Sequence, residues 1–170
     1  MKTEFLEAFK NLDQVLEDEI KVYRALLDVV RREKEILIST KVDELNDSNR
    51  AKDAIILKLR GLERLREKAS RELAVIVGAN AESPRLLEMA QKIDSPYNTR
   101  LQSVHQTLEL LVKRIRDFNV GNDVLVQSAL KTINGAMMAI RDTVQPKATY
   151  GQSGEVKREE VPGHFVSREV

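Results

Sequence analysis

SPYNTRLQSVHQTLELLVKRIRDFNVGNDVLVQSALKTINGAMMAIRDTV, residues 95–144, is the stretch on which the fold turns. Within it Tyr97, Leu101, Val104, Leu108, Leu111, Ile115, Phe118, Asn122, Leu125 and Ala129 recur every three or four residues, which puts them on one stripe of a long α-helix with a heptad rhythm. Ser95-Pro96 supplies an N-cap and a proline suited to a first turn, so the helix is expected to run from Pro96 to Val144. At about 1.5 Å per residue it spans roughly 70 Å. A second line, Val126, Leu130, Ile133, Met137, Ile140 and Val144, runs beside the first and widens the apolar face toward the helix end.

Upstream, Phe9, Leu12, Leu16, Ile20, Tyr23, Leu27, Val30 and Leu37 mark a first helix over about 3–38. Its length is roughly 50 Å, so part of the longer helix is expected to overhang. Glu17 with Lys21 and Asp28 with Arg32 stand four apart in the favourable acid-first order. Thr40, with Asp43 three residues on, resembles a capping box, and a second helix over 41–77 carries Leu45, Ile55, Leu59, Leu62, Ala69, Leu73 and Ile76. Gly78-Ala79-Asn80 stops it, because Gly or Asn tolerates the left-handed residue after a helix end. The short turn between these two helices makes them antiparallel neighbours. Ser83-Pro84 opens a short helix over 84–93. The expected fold is all-α: an elongated antiparallel three-helix bundle or coiled coil over 1–144, with an extra short helix, followed by a flexible tail over 145–170 that Pro146, Gly151, Gly154, Pro162 and Gly163 interrupt.

Composition narrows the function. With 28 Lys plus Arg against 27 Asp plus Glu and no segregation of sign, the chain lacks the basic face that phosphate binding needs, so no nucleic acid is expected. The absence of Cys fits a reducing compartment, no apolar run approaches a membrane span, and residues 1–7 lack the apolar core of a signal peptide. The expected location is the cytoplasm, without membrane insertion. His105 is read as having no ligand partner on its own face, and His164 falls in the tail, so no metal is expected. Neither a nucleophile elbow nor a phosphate-cradling glycine loop is present, and charged helix faces supply carboxylate pairs by default. No catalytic residue, no cofactor and no enzymatic activity are expected.

Binding is the remaining reading. A wide uncovered apolar face serves a partner or a second copy of the chain, and Met137-Met138 suits an adaptable groove. Asn119 and Asn122 interrupt the apolar stripe and need hydrogen-bond partners where buried, a device that sets helix register. Gly121 between them suggests a kink or a close helix contact. Tyr150, flanked by Thr149 and Gly151, has the setting of an aromatic docking anchor. Periodicity alone does not separate partner binding from a homodimeric coiled-coil scaffold.

The run Asn119-Val-Gly-Asn122-Asp-Val-Leu125-Val-Gln-Ser128-Ala-Leu130, followed by Thr149-Tyr150-Gly151-Gln-Ser-Gly154, resembles the FlgN-type flagellar export chaperones. The first two helices, with Tyr23-Arg-Ala-Leu26-Leu27 and 52–63, are similar to that family in layout. The resemblance implies a cytoplasmic type III secretion chaperone for the hook–filament junction (hook-associated) proteins, monomeric or weakly dimeric. It places the C-terminal helical segment of the client on Leu125, Val126, Leu130, Ile133, Met137, Ile140 and Val144, makes Asn119 and Asn122 the structural motif, and gives Tyr150 the docking to the cytoplasmic domain of the export gate. A chaperone for another flagellar client shares the same fold.

Overall fold

The computed structural model describes residues 2–39 and 41–144. Four helices account for most of them: α1 (Lys2–Ser39), α2 (Val42–Val77), α3 (Leu86–Gln91) and α4 (Tyr97–Val144). There is no strand among the described residues. The protein is all-α, as the periodicity implies.

Local chemistry explains where each helix stops. Gly78 takes φ 68°, and the amides of Gly78 and Ala79 return to the carbonyls of Val75 and Ala74, closing the end of α2 as the Gly-Ala-Asn signal predicts. The expected cap at Ser83 is corrected. Asn80 Oδ1 accepts the amides of Glu82 and Ser83 at 2.9 and 3.3 Å, so the asparagine closes this turn. The helix begins two residues later, behind an extended Arg85 that makes no side-chain cap bond. At the next junction the carbonyl of Asp94 accepts the amides of Tyr97 and Asn98, which leaves Pro96 in the turn before α4 rather than in its first turn. Thr40, the expected cap of α2, lies outside the described residues.

Ion pairs and one interhelical hydrogen bond reveal the chain directions. Glu19 meets Arg66 and Glu33 meets Lys52, so α1 and α2 run antiparallel. Asp13 meets Arg100 and Glu33 meets Asn122, so α1 and α4 run parallel. This is an up-down-up bundle, with α1 packed by both of the other long helices. A helix covered on two sides buries a wider stripe, and Val22, Leu26 and Ile36 are buried beside the anticipated Phe9, Leu12, Leu16, Leu27 and Val30.

Two apolar clusters form the core. In the first, Phe9, Leu12 and Leu16 of α1 meet Ala69, Leu73 and Ala74 of α2, Met89 and Ala90 of α3, and Leu101 and Val104 of α4. A helix as short as α3 has little stability by itself. Burial of Met89 and Ala90 fixes it to the end of the core, which gives the 84–95 insert its structural role. Tyr97 packs edge-on against Phe5 and Phe9, with ring centroids 5.3 and 4.8 Å apart. The second cluster joins Leu26, Leu27 and Val30 to Leu111 and Ile115, with Ile55 and Leu59 of α2 only partly buried at its edge.

Contacts divide the chain into two units, Met1–Val126 and Gln127–Val170. Both clusters belong to the first. In the second, the described residues continue α4 to Val144.

Several expected details differ. The acid-first pairs are replaced by Asp18–Lys21 at 2.9 Å and Asp28–Arg31 at 4.0 Å, each one residue closer in sequence, and Glu17 takes Arg100 of α4 at 2.5 Å instead of Lys21. A Cβ added at Gly121 meets nothing within 4 Å, so no close helix contact exists there. Ile76, expected in the α2 stripe, is exposed, while its neighbours Leu73 and Ala74 are buried.

Candidate functional site

The candidate surface follows from the α4 sequence. The stripe that carries Leu101, Val104, Leu111 and Ile115 into the core continues at helical spacing through Ile133, Met137 and Ile140. There its environment changes: every residue from 127 to 143 is exposed, with Ile133 at 55%, Met137 at 64% and Ile140 at 64% of their full area. Leu130, at 49%, borders the same line. Apolar side chains exposed in a continuous row are the usual mark of a binding surface. The stretch is also poor in charge-bearing residues, with only Lys131, Arg141 and Asp142, and the last two adjacent at 3.7 Å. Such a surface favours an apolar helix over a charged ligand.

The other expected contacts distribute differently. Leu125 and Val126 are half-buried in the first unit. Met138 is exposed but lies about 100° around the helix from Met137, so the two thioethers do not share one line. The side chain of Val144 and all of Tyr150 lie outside the described residues, as do the tail and His164.

Asn119 and Asn122 separate. Asn119 is exposed, whereas Asn122 is buried and its Nδ2 donates to the carbonyl of Val30 at 2.9 Å and to Glu33 Oε2 at 3.2 Å. Glu33 in turn accepts Lys52 Nζ at 2.7 and 2.9 Å. One residue from each long helix thus meets in a buried polar cluster. Asn122 Oδ1 has no partner there. An arrangement with one good donor geometry and one unpaired acceptor penalises slippage of α4 along α1.

Glu19 forms a second buried charged site. Arg66 donates to it at 3.1 Å, yet burial, the largest influence, raises its carboxyl above the usual carboxylate range against the pull of Arg66. Tyr23 is also raised, first by burial and then by the charges of Glu19 and Glu63. These charges lie within helix contacts rather than around a cavity, a setting that marks architecture. Sequence spacing missed them because their partners are distant in sequence. The available signal was two glutamates falling on an apolar stripe of α1.

His105 is corrected in one respect. Glu109, one turn along, stands 4.0 Å from its Nδ1, so a carboxylate does share its face. Among the described residues no group of three or more His, Cys, Asp or Glu is arranged to hold a metal ion. No helix among them is long and apolar enough to cross a membrane.

The family model described as FlgN protein matches residues 1–158. Comparison with curated proteins returned no match, and neither did comparison with solved structures.

Proposed function

Because the chain belongs to the FlgN family, whose members are flagellar export chaperones rather than enzymes, we propose that its exposed α4 face holds the C-terminal helical segment of hook–filament junction proteins. The observation that carries this reading is the uncovered row Leu130, Ile133, Met137 and Ile140. A client segment that otherwise self-associates lays its apolar side in this row as a helix on a helix. While it stays there its own assembly surface is covered. Delivery to the cytoplasmic domain of the export gate is assigned to Tyr150, on the resemblance of Thr149-Tyr150-Gly151 to the family's tail motif. The compartment that fits this cycle is the cytoplasm.

Size-exclusion chromatography with light scattering tests the assignment. The free protein is expected to be a monomer and to form a stoichiometric complex with C-terminal segments of hook–filament junction proteins. Ile133→Asp and Met137→Asp are expected to abolish that complex without shifting thermal unfolding, because both positions are exposed. Loss of helicity and stability in these variants, or a tight homodimer in the free wild type, refutes the proposal. Tyr150→Ala is expected to leave client affinity unchanged and to weaken gate docking. Equal gate binding by variant and wild type removes Tyr150 from the model.

A further inference from the structure

The outward face of α2 carries a feature that neither the core nor the α4 surface uses. Leu57 and Leu65 lie on the same side of the helix two turns apart and are exposed at 70% and 54% of their area. Gly61 sits between them, and a Cβ built there meets nothing within 4 Å. The result is a notch in a leucine ridge. In helix–helix packing a side chain from one helix inserts among residues i, i+3, i+4 and i+7 of the other. Leu57, Arg60, Gly61 and Arg64 have this spacing, with the floor of the hole at the glycine and two exposed guanidinium groups at its rim.

Charge selects the occupant. Lys58, Arg60, Arg64 and Lys68 are all exposed along this stretch. The same stretch holds two acids against these four cations. Glu67 binds Arg71 at 2.5 Å, while Glu63 is exposed and its charge acts on Glu19 and Tyr23 of α1, as that of Lys58 acts on Asp18. Arg60 and Arg64 take part in no ion pair among the described residues. A basic rim around an apolar hole complements a helix with a bulky apolar residue at its centre and carboxylates on both flanks.

We propose that this face of α2 docks an acidic amphipathic helix of another protein, whose leucine-like side chain enters the hole above Gly61 while its flanking carboxylates pair with Arg60 and Arg64. The site lies within the first unit and is independent of the α4 row. The notch favours a protein over a lipid surface. An anionic membrane needs positive charge and apolar area but gains nothing from a glycine-floored hole.

A fluorescent synthetic helix with leucine at a and d and glutamate at e and g is the probe, titrated by anisotropy against the full-length protein. The expected result is saturable binding that weakens with salt and is absent for the same peptide with lysine at e and g. Arg60→Glu with Arg64→Glu is expected to weaken binding by about tenfold or more, because like charges then face each other. Gly61→Leu fills the hole while favouring the helix, and it too is expected to weaken binding about tenfold while the protein melts no lower than wild type. Should the charge-reversed protein fail to fold, Gly61→Leu decides alone. Absence of binding, equal binding to the Gly61→Leu protein, or loss of binding on Ile133→Asp with Met137→Asp overturns the assignment. Displacement of the peptide by phosphatidylglycerol vesicles, but not by excess unlabelled peptide, overturns it in favour of a membrane.

Discussion

Asn122 offers the sharpest test of the helix register. Asn122→Ala removes two hydrogen bonds, one to the Val30 carbonyl and one to the Glu33 carboxylate. A neutral bond is worth about 1 kcal/mol and one to a charged group about 1.5–3 kcal/mol. The variant also removes Oδ1, whose unpartnered burial costs about 1–3 kcal/mol. These terms partly cancel, and Lys52 still holds Glu33, so the expected net loss is about 1–2 kcal/mol. Asn122→Asp has nearly the same shape and a much larger effect. It replaces a donor by a carboxylate in a position that faces a carbonyl at 2.9 Å and a carboxylate at 3.2 Å. An uncompensated buried charge of this kind costs about 3–5 kcal/mol. The introduced carboxyl is held above its unfolded pKa by burial and by Glu33, so the stability is retained below the unfolded value and lost as pH rises through the folded one. Urea unfolding followed by circular dichroism across pH measures both. Asn119→Ala, at an exposed position, is the control and is expected to stay within about 0.5 kcal/mol of wild type. If Asn122→Asp is no worse than Asn122→Ala at neutral pH and shows no extra recovery in acid, the buried arrangement of Val30, Glu33 and Asn122 is wrong.

Met89→Ala is expected to cost about 2–5 kcal/mol, because Met89 is fully buried where all four helices meet; native-state hydrogen exchange then shows loss of protection in α3 first, and retained protection refutes its role as the anchor. Gly121→Ala is expected to stabilise by about 0.5–1 kcal/mol, since the added methyl meets open space, and a lower melting temperature contradicts that geometry. Glu19→Gln removes a carboxyl whose folded pKa is raised. The wild type therefore loses stability relative to the variant as pH rises above the unfolded glutamate value of about 4.3, and a stability difference independent of pH removes burial as the dominant influence on Glu19.

The helices were legible because their signals are local. Apolar spacing placed the three long helices and the Ser83-Pro84 signal the short one, and Gly78 with its left-handed φ closed α2 where the Gly-Ala-Asn text stops it. Ser83 failed as a cap through an equally local competitor, the Asn80 side chain three residues earlier, which captures the Ser83 amide. Tertiary competition was harder to read. Glu17 has an adequate partner in Lys21 by spacing, yet Arg100 takes it from 83 residues further along the chain. The widened stripe of α1 has the same origin, since Val22, Leu26 and Ile36 acquire burial from a second neighbouring helix that spacing does not reveal. On α4, spacing identified an apolar row but not its environment. The structure divides that row, with Leu125 and Val126 half-buried and Leu130, Ile133, Met137 and Ile140 exposed.

That division bears on how binding and stability are coupled. The side chains on which the fold depends, from Leu12 and Leu73 to Met89 and Leu101, are fully buried and belong to the first unit. Substitutions there carry cavity costs that spread through the core. Those on residues 127–143 remove area that water already reaches, and exposed substitutions usually shift stability by no more than about 0.5 kcal/mol. A chaperone gains from this separation. The proposed client face can be as apolar as affinity requires without the fold depending on it, and a client bound there could leave without loosening the core. A helix that must remain ordered while uncovered needs support from its own backbone, and residues 127–143 supply it only in part, because Gly135 weakens the helix by about 1 kcal/mol relative to alanine. With no atom within 4 Å of a Cβ added at Gly135, that loss has no compensation in the free protein. On the proposed function, this end of α4 is where a bound client helix would add order.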